Sequence, residues 1–223
     1  MCLIIAHRGY HANIKENTLA AFDAAFAAGA GAVECDLRLI AGKVVVSHDF
    51  SREKNLLGLD ELFAYIIKTD KQWFLEVKDN SRELAQAIIN KIAGQGLWER
   101  VQIIGFWKNI RATLALQEKY PLLRVSQIYV LLPVLPFFKL PAKSYGVYFG
   151  WLDAIPGSRA LFKLLITPAR LRKLKARFES NGFKVMVGVV NQTKDLPFFT
   201  EAGIKDIFTD NVPEVVEYFR AKN

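Results

Sequence analysis

The sequence predicts a (β/α)₈ barrel, and three observations point there together. Short β-rich runs alternate with amphipathic helical stretches, the grammar of a parallel β/α architecture. The runs number eight, the count that closes a barrel. The chain has 223 residues, a little short of the roughly 250 typical of such a domain. The runs lie near residues 3–6, 32–37, 73–77, 101–105, 124–128, 146–149, 184–190 and 206–209.

Between the runs, Leu19, Phe22 and Phe26 mark one buried helical face. Leu84, Ala87 and Ile88 with Lys91 mark another, ending at Gly94 or Gly96. Val45 and Val46 are expected in an extra hairpin arm off the second strand. The segment 131–145 is rich in Pro and apolar residues without a clean period, and 154–159, with Pro156 and Gly157, reads as a loop. With no repeat, linker or low-complexity tract, residues 1–223 are expected to form one domain.

Composition limits the partners. A hydrophobic share of 52% allows a large core, and a charged share of 23% is ordinary for a globular chain. The net charge of +8 draws anions: phosphate esters, acidic lipid surfaces or nucleic acid. The densest basic stretch, Arg170, Arg172, Lys173, Lys175 and Arg177, interleaves with Leu171, Leu174 and Phe178 at helical spacing. That pattern reads as the wet face of an outer helix, so no nucleic-acid partner is expected. Cys2 and Cys35 sit in apolar runs and suggest neither a disulfide framework nor a metal spacing, which fits a reducing compartment. No basic, cleavable leader precedes the first strand, and the longest apolar stretch, 128–138, holds Pro133 and Pro136 and is too short to span a bilayer. A cytoplasmic protein is expected, with peripheral membrane contact left open.

The chemistry follows from strand alternation. In Val33-Glu34-Cys35-Asp36-Leu37, residues two apart share a face. The outer face of a barrel packs on helices, so Val33, Cys35 and Leu37 belong outside and the two carboxylates point in. The same rule sends Leu75 and Val77 out, and Glu76 and Lys78 in. Two carboxylates about 4 Å apart repel by about 4 kcal/mol at an effective dielectric near 20, so something must neutralise them. Three inward acids make an all-oxygen site for Mg²⁺ or Ca²⁺, the alternative being a buried Glu–Lys or Asp–Arg network. His7 and His48 each follow a β-run, where barrel active sites are built, and could serve as an acid and a base. Arg8 and Lys78 are candidate phosphate partners. Asn17 and Thr18 are candidate caps of the first helix. His11 lacks a strand-end position and is expected to be incidental.

Taken in order, His7-Arg8-Gly9, Glu16-Asn17-Thr18, Ala21-Phe22, Gly29-Ala30, Glu34-Cys35-Asp36 and His48-Asp49 resemble the amino-terminal signature of glycerophosphodiester phosphodiesterases. Leu75-Glu76-Val77-Lys78 is similar to that family's next strand and Ile207-Phe208-Thr209-Asp210 to its closing strand. The resemblance implies that Glu34, Asp36 and Glu76 hold one divalent ion, that His7 and His48 are the acid–base pair, and that Arg8 and Lys78 hold the phosphate. It further implies hydrolysis of glycerophosphodiesters to glycerol 3-phosphate and an alcohol, through attack by the substrate's own glycerol hydroxyl and opening of a cyclic phosphate by water.

The chain also departs from the pattern. Lys15 stands where the family usually has Pro, and the turn Ala41-Gly42-Lys43 is a residue short. Gly188 and Val189 stand where Trp-Thr is usual before the Asn, here Asn191. The stretch from Asp49 to Glu76 leaves no place for the inserted cover subdomain that the family often carries. An open mouth is therefore expected, with a greasy rim from Tyr129, Val130, Leu131, Leu132, Val134, Leu135, Phe137 and Phe138 together with Tyr148, Phe149 and Trp151. Such a mouth would admit lipid as well as small-molecule phosphodiesters. Two further readings stand beside the first: a lysophospholipase D or C-like enzyme at membranes, and a non-catalytic barrel that binds phosphodiesters or anionic surfaces.

Overall fold

Side-chain alternation sorts most apolar strand residues between two cores. The protein is described here from a computed structural model covering residues 2–50, 55–130, 143–152 and 155–222. Its strands are β1 (Leu3–Ala6), β2 (Ala32–Ile40), β3 (Lys43–Val46), β4 (Gln72–Val77), β5 (Val101–Phe106), β6 (Val125–Val130), β7 (Gly146–Gly150), β8 (Lys184–Val187) and β9 (Asp206–Thr209). All but β3 form a parallel barrel, running from β1 through β2 and then β4 to β9, which pairs with β1 again. The helices are α1 (Leu19–Ala27), α2 (Leu59–Ile66), α3 (Arg82–Gly94), α4 (Trp107–Leu116), α5 (Ser158–Leu165), α6 (Pro168–Glu179), α7 (Leu196–Thr200) and α8 (Val212–Arg220).

Val33, Cys35, Leu37, Leu75 and Val77 lie in the outer core between strands and helices. Ile5, Ala32, Phe74, Ile104, Ile128, Tyr148, Met186 and Phe208 form a separate core inside the barrel. There Phe208 packs edge-on to Phe74 and Tyr148, with ring centroids 5.2 and 4.5 Å away. This plug closes the barrel beneath the inward acids, which lie two and four residues beyond Ala32 and two beyond Phe74.

Each expected β-run appears, although β8 ends at Val187 and not at Val190. The expected hairpin arm is β3, antiparallel to β2. Its two-residue turn has Ala41 and Gly42 both in the left-handed region, at φ 49° and 75°, which matches the twist of flanking strands and accounts for the short connection. In α3 the buried face is Leu84, Ala85, Ile88, Ile89 and Ile92, so it lies about one residue round from the expected stripe. On α6, Leu171 and Phe178 are buried while Arg170, Arg172, Lys173 and Arg177 are exposed, as a solvated outer face requires.

Three expectations change. Residues 154–159 are not wholly loop, because α5 begins at Ser158 behind Gly157, whose φ is 80°. Tyr148, Phe149 and Trp151 are buried, Phe149 in the outer core and Tyr148 in the plug, so they do not make an exposed rim. The rest of that rim, from Leu131 to Phe138, lies outside the described residues. Between β3 and β4 the described residues carry only α2. Among the described residues no helix is long and apolar enough to cross a membrane.

Candidate active site

The loops after β1, β3, β4, β7 and β9 meet over the barrel's C-terminal mouth, around a cavity of about 340 Å³. His7, Arg8, His48, Glu76, Lys78 and Asp210 line its polar side. Phe106, Ile128, Tyr129, Tyr148 and Trp151 contribute the apolar wall.

At the base, Glu34, Asp36 and Glu76 bring one carboxylate oxygen each within 4.8 Å of one another, and all three are buried. The β2–β4 register sets this, since Asp36 stands directly beside Glu76. Lys78 Nζ lies 2.8 Å from Asp36 Oδ1 and 2.7 Å from Glu76 Oε1. Arg8 Nε lies 3.1 Å from Asp36 Oδ2, and its Nη1 donates to both oxygens of Glu16 at 3.1 Å. The acids and the two cations thus interlock, and the alternatives drawn from the sequence, ion site or Glu–Lys and Asp–Arg network, share the same residues.

Glu34 is the member left over. Its Oε2 accepts the Arg8 backbone N–H at 3.0 Å, while its Oε1 is buried with no hydrogen-bond partner. Burial, then the neighbouring Asp36 charge, pushes its carboxyl up to about 8. A buried orphan oxygen costs on the order of 1–3 kcal/mol unless something binds it. Hard oxygen donors at this spacing fit Mg²⁺ or Ca²⁺. Asp36 goes the other way: burial alone would raise it, but Lys78 and Arg8 hold it below the usual carboxylate range.

The turn carrying Arg8 is built for this contact. Arg8 adopts φ 57°, in the left-handed region, which aims its N–H at Glu34. Gly9 follows at φ 79°, and a Cβ there would stand 2.7 Å from the Ala21 carbonyl carbon, so glycine lets α1 approach. Thr18 caps α1 by accepting from Ala21 N. Asn17 does not cap; its Nδ2 donates to Asp36 Oδ2 at 2.9 Å and its Oδ1 accepts from Asp36 N at 3.1 Å.

His7 Nδ1 lies 2.7 Å from Asp210 Oδ1, and Nε2 lies 4.0 Å from Glu34 Oε2. Burial pulls the His7 ring toward neutrality, but the Asp210 bond and the Glu34 charge outweigh it and raise its pKa. Asp210 is itself held by Asn191, which donates from Nδ2 at 2.6 Å and accepts the Asp210 N–H at 2.8 Å. His48, after β3, pairs with Asp49 at 3.0 Å, and its carbonyl accepts from Arg38 Nε at 2.7 Å.

The comparisons with known proteins agree with this geometry. The model of the glycerophosphoryl diester phosphodiesterase family matches residues 7–56, the segment carrying His7, Arg8, Glu34, Asp36 and His48. A glycerophosphodiester phosphodiesterase of Caldanaerobacter subterraneus is 24% identical, over 98% of each chain. The chain is thus similar to glycerophosphodiester phosphodiesterases, most specifically over residues 7–56. Solved structures bear out the fold: a Silicibacter pomeroyi protein superposes with a TM-score of 0.79 at 18% identity, covering 100% of this chain and 94% of its own. An Oleispira antarctica phosphodiesterase, solved with its product sn-glycerol-3-phosphate, superposes with a TM-score of 0.72 at 16% identity, over 98% and 96% of the two chains.

Within this barrel, His7, Arg8, Glu34, Asp36, His48, Glu76 and Lys78 all converge at one mouth. Sequence reasoning missed three supporting residues. Asp210 follows β9 where His7 follows β1, and barrel closure puts these strands side by side, Ala6 opposite Thr209. Arg38 continues the inward series Glu34, Asp36, so the period of two was already pointing to it; it also donates to Asp79 at 2.9 Å. His11, expected to be incidental, lies 3.9 Å from Asp210 Oδ1.

Proposed function

We propose that the protein is a divalent-metal-dependent glycerophosphodiester phosphodiesterase, cleaving its substrate to glycerol 3-phosphate and an alcohol. The observation that carries this reading is the buried carboxylate trio with an unpartnered Glu34 Oε1, opening into a cavity that also presents His7 and His48. Glu34, Asp36 and Glu76 would hold the ion, which when bound supplies positive charge to the phosphoryl oxygens. Charge balance favours the assignment. With Glu34 ionised by the bound ion, three carboxylates against Arg8 and Lys78 leave one negative charge, and the divalent ion turns that into one positive charge, matched to a phosphodiester monoanion.

The chain's own residues do the rest. Asp210 occupies Nδ1 of His7, which leaves Nε2 as the atom that exchanges a proton at the cavity floor. His48, which lines the same cavity, exchanges the second proton. Arg8 and Lys78, anchored on Asp36, orient the phosphate at the mouth. Tyr148 is a neutral donor in the wall, because burial and then the Glu76 and Glu34 charges hold its hydroxyl protonated. Positioned proton transfer of this kind contributes roughly 10²–10⁴ in rate.

The test is a panel of glycerophosphodiesters differing in the alcohol, assayed with Mg²⁺ and with Ca²⁺ for release of glycerol 3-phosphate. Release from at least one member is the expected result. Binding of the diesters without release from any of them would favour the non-catalytic barrel instead.

A further inference from the structure

Helix α5 is amphipathic in the reverse sense. Of its eight residues only Phe162 is buried, packed on Trp151 with ring centroids 5.5 Å apart. The helix's cations turn inward: Arg159 Nη2 lies 2.9 Å from Asp195 Oδ1, and Lys163 pairs with the same carboxylate, which is buried. Its leucines turn outward, with Leu161, Leu164 and Leu165 exposed by 47%, 78% and 37%. The connection from β7 adds Leu152 and Ile155, also exposed. Single exposed leucines are ordinary, but five large apolar residues within one short stretch form a patch, and patches mark contacts.

Two placements say what the contact is. Leu152 lines the active-site cavity, which places one end of this apolar stretch at the mouth of the barrel. Arg170 donates from Nη1 to the Leu165 carbonyl at 2.9 Å, which sets a cation at the C-terminal end of α5, and α6 continues with exposed Arg172, Lys173 and Arg177. The acid on α6, Glu179, is paired with Lys175. Apolar tips beside a basic flank complement an anionic lipid surface, where leucines enter the acyl boundary and cations meet headgroups. A second copy of the chain would bring the same basic flank and a net charge of +8 against itself.

We infer that α5, with Leu152 and Ile155, is an interfacial anchor that seats the barrel mouth on an anionic lipid surface. Lipid-presented phosphodiesters then reach the cavity past Leu152. The substrate half of this inference rests on the hydrolase reading; the docking half stands on the surface alone.

Co-sedimentation with phosphatidylglycerol–phosphatidylcholine vesicles and with pure phosphatidylcholine vesicles tests the docking without any turnover. The wild-type protein is expected to partition onto the anionic vesicles and to leave them as salt is raised. The variant Leu161→Ser/Leu164→Ser/Leu165→Ser is expected to lose about tenfold or more in partitioning. Lys173→Glu/Arg177→Glu is expected to lose binding to anionic vesicles only. Both variants should keep wild-type hydrolysis of a soluble glycerophosphodiester, since none of these residues lines the cavity. Absent hydrolysis in the wild type would therefore count against the hydrolase reading and leave the vesicle readout intact. No partitioning by the wild type, or equal partitioning by the serine variant, overturns the anchor. So does a wild-type dimer in sedimentation velocity that the serine variant abolishes while neither protein binds vesicles, because that assigns the face to a second copy.

Discussion

Glu34→Gln is expected to abolish the response to divalent metal while making the metal-free protein more stable at pH 8. Glu34 lies at the base of the site with one oxygen unpartnered, and its carboxyl is pushed up to about 8 by burial first and the Asp36 charge second. Because the folded pKa lies above the ordinary carboxylate value, the native state holds a proton that the unfolded chain has already lost. The stability linked to that proton is fully present below about pH 4.5 and is lost as pH rises toward 8, at up to about 1.4 kcal/mol per pH unit. Glutamine keeps the acceptor for the Arg8 N–H and carries no charge, so this part of the slope vanishes. Denaturant melts of chelated wild type and Glu34→Gln at pH 5 and pH 8 read the difference directly. The variant should gain on the order of 1–3 kcal/mol over wild type at the higher pH. Added Mg²⁺ or Ca²⁺ should stabilise only the wild type. A variant that is less stable than wild type at both pH values, or that still binds the ion, would contradict this role. Asp36→Asn is a poorer probe, because Asp36 is fully buried and also anchors Arg8, Lys78 and Asn17. Its loss would cost folding as well as metal affinity.

His7→Ala and His48→Ala are each expected to lower kcat by roughly 10²–10⁴, and the double variant to lose little more than the worse single one. Two proton transfers that belong to one reaction fail together once either is removed. Both side chains line the cavity, and neither is part of the hydrophobic core, so melting temperatures should stay near wild type. Steady-state kinetics and thermal melts on the three variants check this. Near-normal turnover in either single variant would make that histidine structural. Asp210→Asn separates positioning from chemistry: with the His7 Nδ1 contact weakened, the pH profile of kcat should shift on the His7 limb, whereas a merely structural Asp210 would lower activity evenly across pH.

The legible parts of this site are those written by local periodicity. Glu34, Asp36 and Glu76 could be read as inward because their neighbours Val33, Cys35, Leu37, Leu75 and Val77 are apolar and the strand period is two. The outer core holds all five of those neighbours. The same period turns Arg38 inward, but a lone cation after two acids carries no pattern of its own that separates it from a solvated strand end. Asp210 was less accessible: it meets His7 across 203 residues, through a contact that exists only once β9 closes on β1. The mouth departs from the expected greasy rim for a different reason. Aromatic residues such as Tyr148 and Trp151 look like a rim in sequence, but β7 turns Tyr148 into the plug, and Trp151 packs against Phe162 and Phe199. The exposed apolar surface lies instead on α5, whose start is hidden behind Pro156 and Gly157.

The carboxylate trio as a metal centre for diester cleavage is tested most directly by one titration. Protein stripped with a chelator is assayed for release of glycerol 3-phosphate from a soluble glycerophosphodiester, first alone and then with increasing Mg²⁺ or Ca²⁺. The expected result is no turnover without metal and saturable recovery in the wild type, with Glu34→Gln silent throughout. Full turnover in the stripped wild-type protein would contradict the account.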